Sequence, residues 1–205
     1  MARPVVAIVQ ARMGSERLPG KMLEPLSGQP ILEWVLARLK NATLLDHIVL
    51  ATTTDERDDP LAKIASDDGV EVFRGDEQDV LGRFVAAAEK TEAKTIVRVC
   101  ADNPLVAPEA VDLAVNSFIT QKPDYAFNHI PKMGNKYPDG VGVEVLDVQL
   151  LNKLGLEITD ASLREHVTLG IWNNTKAFDI LHVECPEEWR DIEGDIKLDV
   201  DTPED

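Results

Sequence analysis

The chain alternates between short apolar runs and stretches whose hydrophobic residues recur every three or four positions. The apolar runs are rich in Val and Ile, and they predict buried strands at 4–10, 47–53, 70–75 and 95–101. Helical spacing predicts helices at 30–40, 60–68, 79–92 and 108–121. Strands that alternate with helices in this way favour an α/β fold, with a mostly parallel sheet and helices on both of its faces.

The alternation stops after Pro123, where turn residues become frequent. Short strands are predicted from DYAFNH, GVEVLD and FDILHVEC, a helix from LREHVTLGIW, and a last strand from DIKLDV at 195–200. We expect one domain over 1–205. Within it, 125–190 would form a small lobe inserted before the last strand completes the sheet.

Composition narrows the range of partners. The 205 residues include 21 Lys and Arg against 37 Asp and Glu, a net charge of −16. Nucleic acids and anionic membranes need a basic surface, so neither is expected as a partner. The two cysteines lack metal-ligand spacing, and neither a targeting segment nor a bilayer-length apolar run is present. These features predict a cytoplasmic protein with free thiols.

The stretch QARMGSERLPGK, at 10–21, follows the first predicted strand and is called the first loop here. It is not a Walker loop, because five residues separate its glycines and Met22 follows Lys21. Gly14 and Gly20 would let backbone N–H groups approach phosphate oxygens closely, and Arg12, Arg17 and Lys21 would add charged donors. A solvated turn with incidental charges is the alternative interpretation.

Two aspartates follow predicted strands at the edge where the first loop begins. Asp102 comes just after the fourth strand and Asp201 just after DIKLDV. Carboxylates that converge beside a phosphate-binding loop are typical ligands of Mg²⁺, which prefers oxygen. A turn-forming role for Asp102 and a helix N-cap role for Asp201 are the simpler alternatives.

Several stretches together resemble the cytidylyltransferases that make CMP-activated acidic sugars. These are the acylneuraminate and 3-deoxy-manno-octulosonate enzymes, and within that superfamily the chain most resembles the spore coat polysaccharide biosynthesis protein F group. The resemblance spans nearly the whole chain, in the order ARMGSERLPGK, GDEQDVLGRF, VRVCADNPLVAPE, YPDGVGVEV, REHVT and DVDTPED. It implies a Rossmann-like fold of the nucleotide-diphospho-sugar transferase type.

The resemblance also implies a reaction and a nucleotide site. CMP would pass from CTP to a sugar, with release of pyrophosphate, and Asp102 and Asp201 would hold Mg²⁺. Arg12 and Lys21 would hold the β- and γ-phosphates, so that Arg12, Lys21 and Asp102 are the predicted catalytic residues. The remaining nucleotide contacts implied are Gln10, Ala11, Gly14, Ser15, Arg74, Arg83 and Ala101.

The same resemblance makes the lobe the sugar pocket and implies a homodimer. The sugar contacts expected there are Asn128, Tyr137, Asp139, Glu144, Glu165 and His166. An acidic 2-keto sugar would need a cation for its carboxylate, for which Lys132, Lys136 and Arg164 are the candidates. Two other functions stay open: transfer from another NTP to a sugar or alcohol phosphate, and nucleotide-sugar binding without catalysis.

Overall fold

The computed structural model describes residues 3–15, 17–128, 136–190 and 196–205. The helices in these ranges are α1 Ile31–Leu39, α2 Asp59–Asp67, α3 Val80–Lys90, α4 Pro108–Gln121, α5 Val148–Glu157, α6 Ala161–Arg164 and α7 Leu169–Trp172. The strands are β1 Val5–Gln10, β2 Pro25–Leu26, β3 Gln29–Pro30, β4 His47–Thr53, β5 Glu71–Gly75, β6 Thr95–Cys100, β7 Tyr125–Phe127, β8 Glu144–Asp147 and β9 Ile180–His182. No helix of these ranges is both long and apolar enough to span a bilayer.

Seven strands of the described ranges form one sheet, in the order β5-β4-β1-β6-β8-β7-β9. The four strands β5, β4, β1 and β6 run parallel, whereas β8 is antiparallel to both of its neighbours and β9 is parallel to β7. The mostly parallel sheet predicted from the sequence is therefore confirmed. The two-residue strands β2 and β3 pair separately, just before α1.

The core lies on both faces of this sheet. Along β1, Val5, Ala7 and Val9 pack with α1, α2 and α4 on one face, while Val6 and Ile8 pack with α3, α5 and α7 on the other. All five side chains are completely buried. A strand covered on both faces has no polar side, which is why β1 reads as one continuous apolar run.

The segment 125–190 does not stand apart from the sheet as a lobe. Its strands β7, β8 and β9 extend the sheet beyond β6, and Leu146 of β8 pairs with Ile96 of β6. The predicted helix LREHVTLGIW is two one-turn helices, because α6 ends at Arg164 and α7 begins only at Leu169. Helix α5, which sequence periodicity did not predict, packs against α3.

The prediction of a last sheet strand in DIKLDV is wrong for its described residues, 196–200. They form a single bridge, in which Lys197 pairs with Asp139. Gly140, at a φ of 88°, permits this crossing, since a Cβ there would lie 2.6 Å from the backbone nitrogen of Asp199. Val200 N–H then donates to the carbonyl of Asp102 at 2.8 Å, so the segment ends beside β6 rather than within the sheet.

The buried carboxylate of Asp58 joins the end of β4 to the first loop. Its Oδ1 accepts from the Met13 N–H at 2.8 Å, and its Oδ2 accepts from both Thr53 N–H and the hydroxyls of Thr52 and Thr53. Burial alone would raise the pKa of Asp58, but these donors outweigh it and lower the pKa. The ionised side chain thus holds two separate chain segments in one arrangement.

Replacing Asp58 by Asn should lower the free energy of unfolding by about 3 kcal/mol, because an amide nitrogen cannot accept the hydrogen bonds made by a buried carboxylate. A pKa lowered in the folded state stabilises above the unfolded value and is lost as pH falls through the folded value. The deficit should therefore shrink below about pH 4. Urea unfolding at several pH values measures both effects.

The neighbouring Asp59 provides the control, since it is exposed and makes one surface ion pair with Arg74. Asp59→Asn should cost about 0.5 kcal/mol or less. Equal losses for Asp58→Asn and Asp59→Asn would contradict the anchoring role of Asp58.

Candidate active site

A cavity of about 600 Å³ opens at the carboxyl ends of β1 and β6. Parallel strands direct their following loops to this same edge, where ligands bind in open α/β sheets. Its lining includes the residues Gln10, Ala11, Arg12, Gly14, Ser15, Arg17, Lys21, Met22, Val80, Cys100, Ala101, Asp102, Glu165 and His166. The cavity therefore brings together most of the predicted nucleotide contacts with two of the predicted sugar contacts.

The first loop closes on itself at the mouth of this cavity. The Gly20 N–H donates to the Met13 carbonyl at 3.1 Å, and the Ser15 hydroxyl accepts from the Leu18 N–H at 3.2 Å. Gly20 has a φ of 79°, a backbone conformation that residues other than glycine rarely adopt. A Cβ on Gly14 would approach Glu77 Oε1 to 2.9 Å, but this atom ends a flexible, partly exposed side chain that can move aside. The backbone conformation at Gly20, rather than the space at Gly14, is therefore what requires a glycine in this loop. The internal hydrogen bonds hold the loop in a defined conformation, which a solvated turn would lack.

The ammonium of Lys21 lies between the two predicted metal ligands. Its Nζ is 3.1 Å from Asp102 Oδ2, 3.3 Å from Asp201 Oδ1 and 3.0 Å from the Val200 carbonyl oxygen. Three hard oxygens thus converge on one point, which is the kind of donor set that Mg²⁺ accepts. The exposed Arg17 also pairs with Asp201, at 2.7 Å. Within the described residues, no group of three or more His, Cys, Asp and Glu side chains forms a metal site.

Arg12 faces the cavity between two carboxylates. Its guanidinium lies 3.8 Å from Glu77 and 3.4 Å from Glu165, and all three side chains are at least one third exposed. Ion pairs with this exposure are weak, so an anionic ligand could replace them at little cost. Sequence reasoning missed Glu77, although it lies inside the GDEQDVLGRF motif.

Glu165 and His166 belong to residues 160–168, a segment called the strap here. Arg164 fastens the strap to α3, with Nε and Nη2 each donating to the Asp79 carboxylate at 2.9 Å. Its Nη1 donates to the carbonyls of Gly155 and Ile158. All of its donor nitrogens are engaged, which argues against the predicted use of Arg164 as a free cation for a sugar carboxylate.

Two polar side chains at this edge have buried atoms without a partner among the described residues. They are Oε1 of Gln10, which lines the cavity, and Nε and Nη2 of Arg83, which is 2 % exposed and is not among the residues lining the cavity. Arg83 Nη1 donates to the carbonyls of Asp76 and Glu77. Burial lowers the pKa of Arg83, and the positive charge of Arg12 lowers it further. Unmet donors and acceptors of this kind are costly, and each needs a partner such as an ordered water or a ligand.

Cys100 lines the cavity but is not a candidate nucleophile. Burial raises the pKa of its thiol to about 12, with the charge of Arg98 opposing the shift. The thiol therefore stays protonated at neutral pH.

Four other residues that were predicted to contact the nucleotide or the sugar make contacts within the protein. Arg74 does not line the cavity, because its guanidinium holds the turn after β4 through Asp59 and the carbonyls of Thr53 and Asp55. Asn128 is completely buried; its amide group donates to the Ala110 carbonyl and accepts from the Val143 N–H. The remaining two are Tyr137, whose hydroxyl donates to the Glu184 carbonyl, and Asp139, whose backbone pairs with 196–198.

Glu144 of β8 is also buried, and it forms an ion pair with Arg98 across the antiparallel pairing with β6. Sequence reasoning missed Arg98. The available signal was a charged residue inside the apolar run TIVRVCA. Of the proposed carboxylate-binding cations, Lys136 is exposed and Lys132 lies outside the described residues.

Comparisons with known proteins agree with this geometry. A family model described as cytidylyltransferase matches residues 6–156. The spore coat polysaccharide biosynthesis protein SpsF of Bacillus subtilis is 34% identical over 98% of this chain and 82% of its own length. A 3-deoxy-manno-octulosonate cytidylyltransferase of Pelobacter propionicus is 34% identical over 56% of this chain and 44% of its own.

Solved structures give the same result. A cytidylyltransferase from Leptospira borgpetersenii superposes with a TM-score of 0.87 at 32% identity, covering 97% of this chain and 81% of that one. A CMP:2-keto-3-deoxy-manno-octonic acid synthetase in complex with CTP has the same fold, with a TM-score of 0.72 at 18% identity over 98% and 95% of the two chains. The chain therefore belongs to the cytidylyltransferase family, whose members are nucleotidyltransferase enzymes.

Proposed function

We propose that the protein transfers CMP from CTP to a sugar, releasing pyrophosphate, in the synthesis of a surface polysaccharide or glycan. The observation that carries this proposal is the convergence of Lys21, Asp102 and Asp201 beside the closed first loop. That arrangement offers cations to a triphosphate and carboxylates to its metal ion within one cavity. The family and its sugar-activating relatives support the same assignment.

The residues of the first loop would bind the triphosphate. Arg12 and Lys21 would hold the β- and γ-phosphates and stabilise the leaving pyrophosphate, while Ser15 and backbone N–H groups near Gly14 complete the cradle. Transfer of this kind depends mainly on positioning and on stabilisation of charge. A sugar oxygen would bond to the α-phosphorus while the bond from that phosphorus to the pyrophosphate oxygen breaks.

Asp102 and Asp201 would hold the divalent cation, which we propose to be Mg²⁺. When bound, the ion supplies neutralisation of the phosphate charge. The oxygen-only donor set around Lys21 Nζ supports this choice over a site for softer metals.

The partnerless atoms of Gln10 and Arg83 would read the base. Cytosine presents an amino group that donates and a ring carbonyl that accepts, and these complement an amide oxygen and a guanidinium. Uracil presents a carbonyl in place of the amino group, so an acceptor instead of a donor would face Gln10 Oε1 at that position. This complementarity supports CTP over UTP.

The acceptor would lie beside the strap, next to Glu165 and His166. An acidic 2-keto sugar is the acceptor that the sequence resemblance favours. A homodimer and a cytoplasmic location also stay predictions of that resemblance and of the sequence.

The function itself is tested by pyrophosphate release. CTP, UTP, GTP and ATP are each supplied with Mg²⁺ and a panel of eight- and nine-carbon 2-keto acids, neutral sugars and sugar phosphates. We expect release only with CTP and with one acceptor class. Preference for another nucleotide would favour the alternative transferase, and CTP binding without release from any acceptor would favour a binding protein.

Asp102→Asn should reduce Mg²⁺-dependent turnover about a hundredfold or more, since a neutral amide binds the ion poorly. The fold should persist, because the side chain lies at a loop edge and is 30% exposed. Steady-state rates and a thermal melt measure both. Asp67→Asn, on the exposed side of α2, is the control with full activity. Unchanged turnover in Asp102→Asn would contradict the metal assignment.

Arg83→Lys should weaken CTP binding about tenfold and reduce the preference for CTP over UTP, because lysine lacks the planar fork of donors. The ratio of the two affinities, measured by calorimetry, is insensitive to partial unfolding. Arg74→Lys is the matched control, since the structure ties Arg74 to the turn after β4 instead. A reduced preference in Arg74→Lys but not in Arg83→Lys would reverse the assignment.

A further inference from the structure

Lys21 occupies the position that a metal ion between Asp102 and Asp201 would need. Its side chain is only 11% exposed, and its ammonium lies 3.1 and 3.3 Å from the two carboxylates. The ammonium also donates a hydrogen bond to the Val200 carbonyl oxygen at 3.0 Å. An ammonium has three donors, so this contact set is complete.

The backbone holds both sides of this contact in place. Lys21 begins a turn of 3₁₀ helix directly after the left-handed Gly20, and its N–H donates to the Leu18 carbonyl at 3.1 Å. On the opposite side, the Val200 N–H donates to the Asp102 carbonyl at 2.8 Å. Backbone hydrogen bonds on both sides therefore position the lysine beside the two carboxylates.

Repulsion between the carboxylates of Asp102 and Asp201 explains why a cation is needed between them. Two carboxylates that approach the same point repel each other unless a positive charge separates them. The ammonium supplies that charge in the protein without ligands. A divalent cation placed at the same point would overlap the ammonium, so the two cations exclude each other.

We propose that Lys21 is the resident cation of the Asp102–Asp201 pair, and that it keeps divalent metal out until a triphosphate draws the ammonium away. This inference rests on the proposed function, since it takes the triphosphate as the ligand of the first loop. The flexible four-carbon stem of lysine permits such a movement. Nucleotide and metal should consequently bind with positive coupling, each strengthening the other.

The other cations near the pair are placed differently. Arg17 and Lys197 approach Asp201, at 2.7 and 4.0 Å, but their side chains are 65% and 44% exposed, and the ion pair of Asp102 is made with Lys21 instead. They can neutralise charge from outside without filling the space between the carboxylates. Lys197→Met therefore matches Lys21→Met in chemistry and in lost charge, but not in position.

The test is a titration of the full chain with Mn²⁺, following the electron paramagnetic resonance signal of the free ion. It is run on wild type, Lys21→Met and Lys197→Met, each with and without a CTP analogue that has a methylene group between the α- and β-phosphates. Without nucleotide, Lys21→Met should bind Mn²⁺ about tenfold or more tightly than wild type. Lys197→Met should stay within about twofold of wild type. With the analogue, the difference between wild type and Lys21→Met should shrink.

Equal Mn²⁺ affinities of wild type and Lys21→Met without nucleotide would overturn the inference. An equal increase in Lys197→Met would overturn it as well, since charge alone would then explain the effect. If Lys21→Met does not fold, the same Mn²⁺ affinities are compared with Lys21→Gln, whose neutral amide can still donate to a carboxylate. Calorimetry of wild type with the analogue, in the absence and in the presence of Mg²⁺, separates the two proposals. No binding in either condition contradicts the proposed function, whereas binding with unchanged Mn²⁺ affinities contradicts only the role of Lys21.

Discussion

The parallel pairing of β1 with both of its neighbours is the constraint on which the site depends. Gln10, the last residue of β1, is in register with Ala51 of β4 and Cys100 of β6. Three chain segments therefore leave the sheet at one level and on one edge. The first loop, the turn that contains Asp58 and the turn that contains Asp102 meet there because no other exit from parallel strands is available.

Charge at this edge is arranged in compensated pairs. Arg12 lies between glutamates, Lys21 lies between aspartates, and Arg164 engages Asp79. A chain with a net charge of −16 can thus present a local site for a polyanion without leaving buried cations uncompensated. Arg83 is the exception, because its Nε and Nη2 have no acceptor among the described residues, and under the proposed function the nucleotide would supply one.

Sequence reasoning succeeded where local pattern and local chemistry coincide. The first half of the sheet and the position of the first loop were predictable, since both follow from strand order. The convergence of Asp102 with Asp201 was predicted from a strand at DIKLDV that does not form, and a single bridge and the hydrogen bond from Val200 to Asp102 bring the two carboxylates together instead. The roles of Arg74 and Asn128 were not predictable, because an arginine or asparagine that serves the backbone has the same sequence appearance as one that serves a ligand. The failure at DIKLDV has a similar origin: apolar alternation cannot report that Gly140 lets that segment cross over a turn.

The strap is fastened to helices α3 and α5, through Asp79 and the carbonyl of Gly155. Among the described residues, it meets the first loop through the exposed ion pair of Glu165 and Arg12. Under the proposed function, the parts that handle the acceptor and the parts that handle the nucleotide are then mechanically separable. Natural variation could exchange one acceptor for another by altering the strap while the phosphate chemistry stays intact. Such modularity would let a single scaffold diversify into a set of enzymes that activate different sugars.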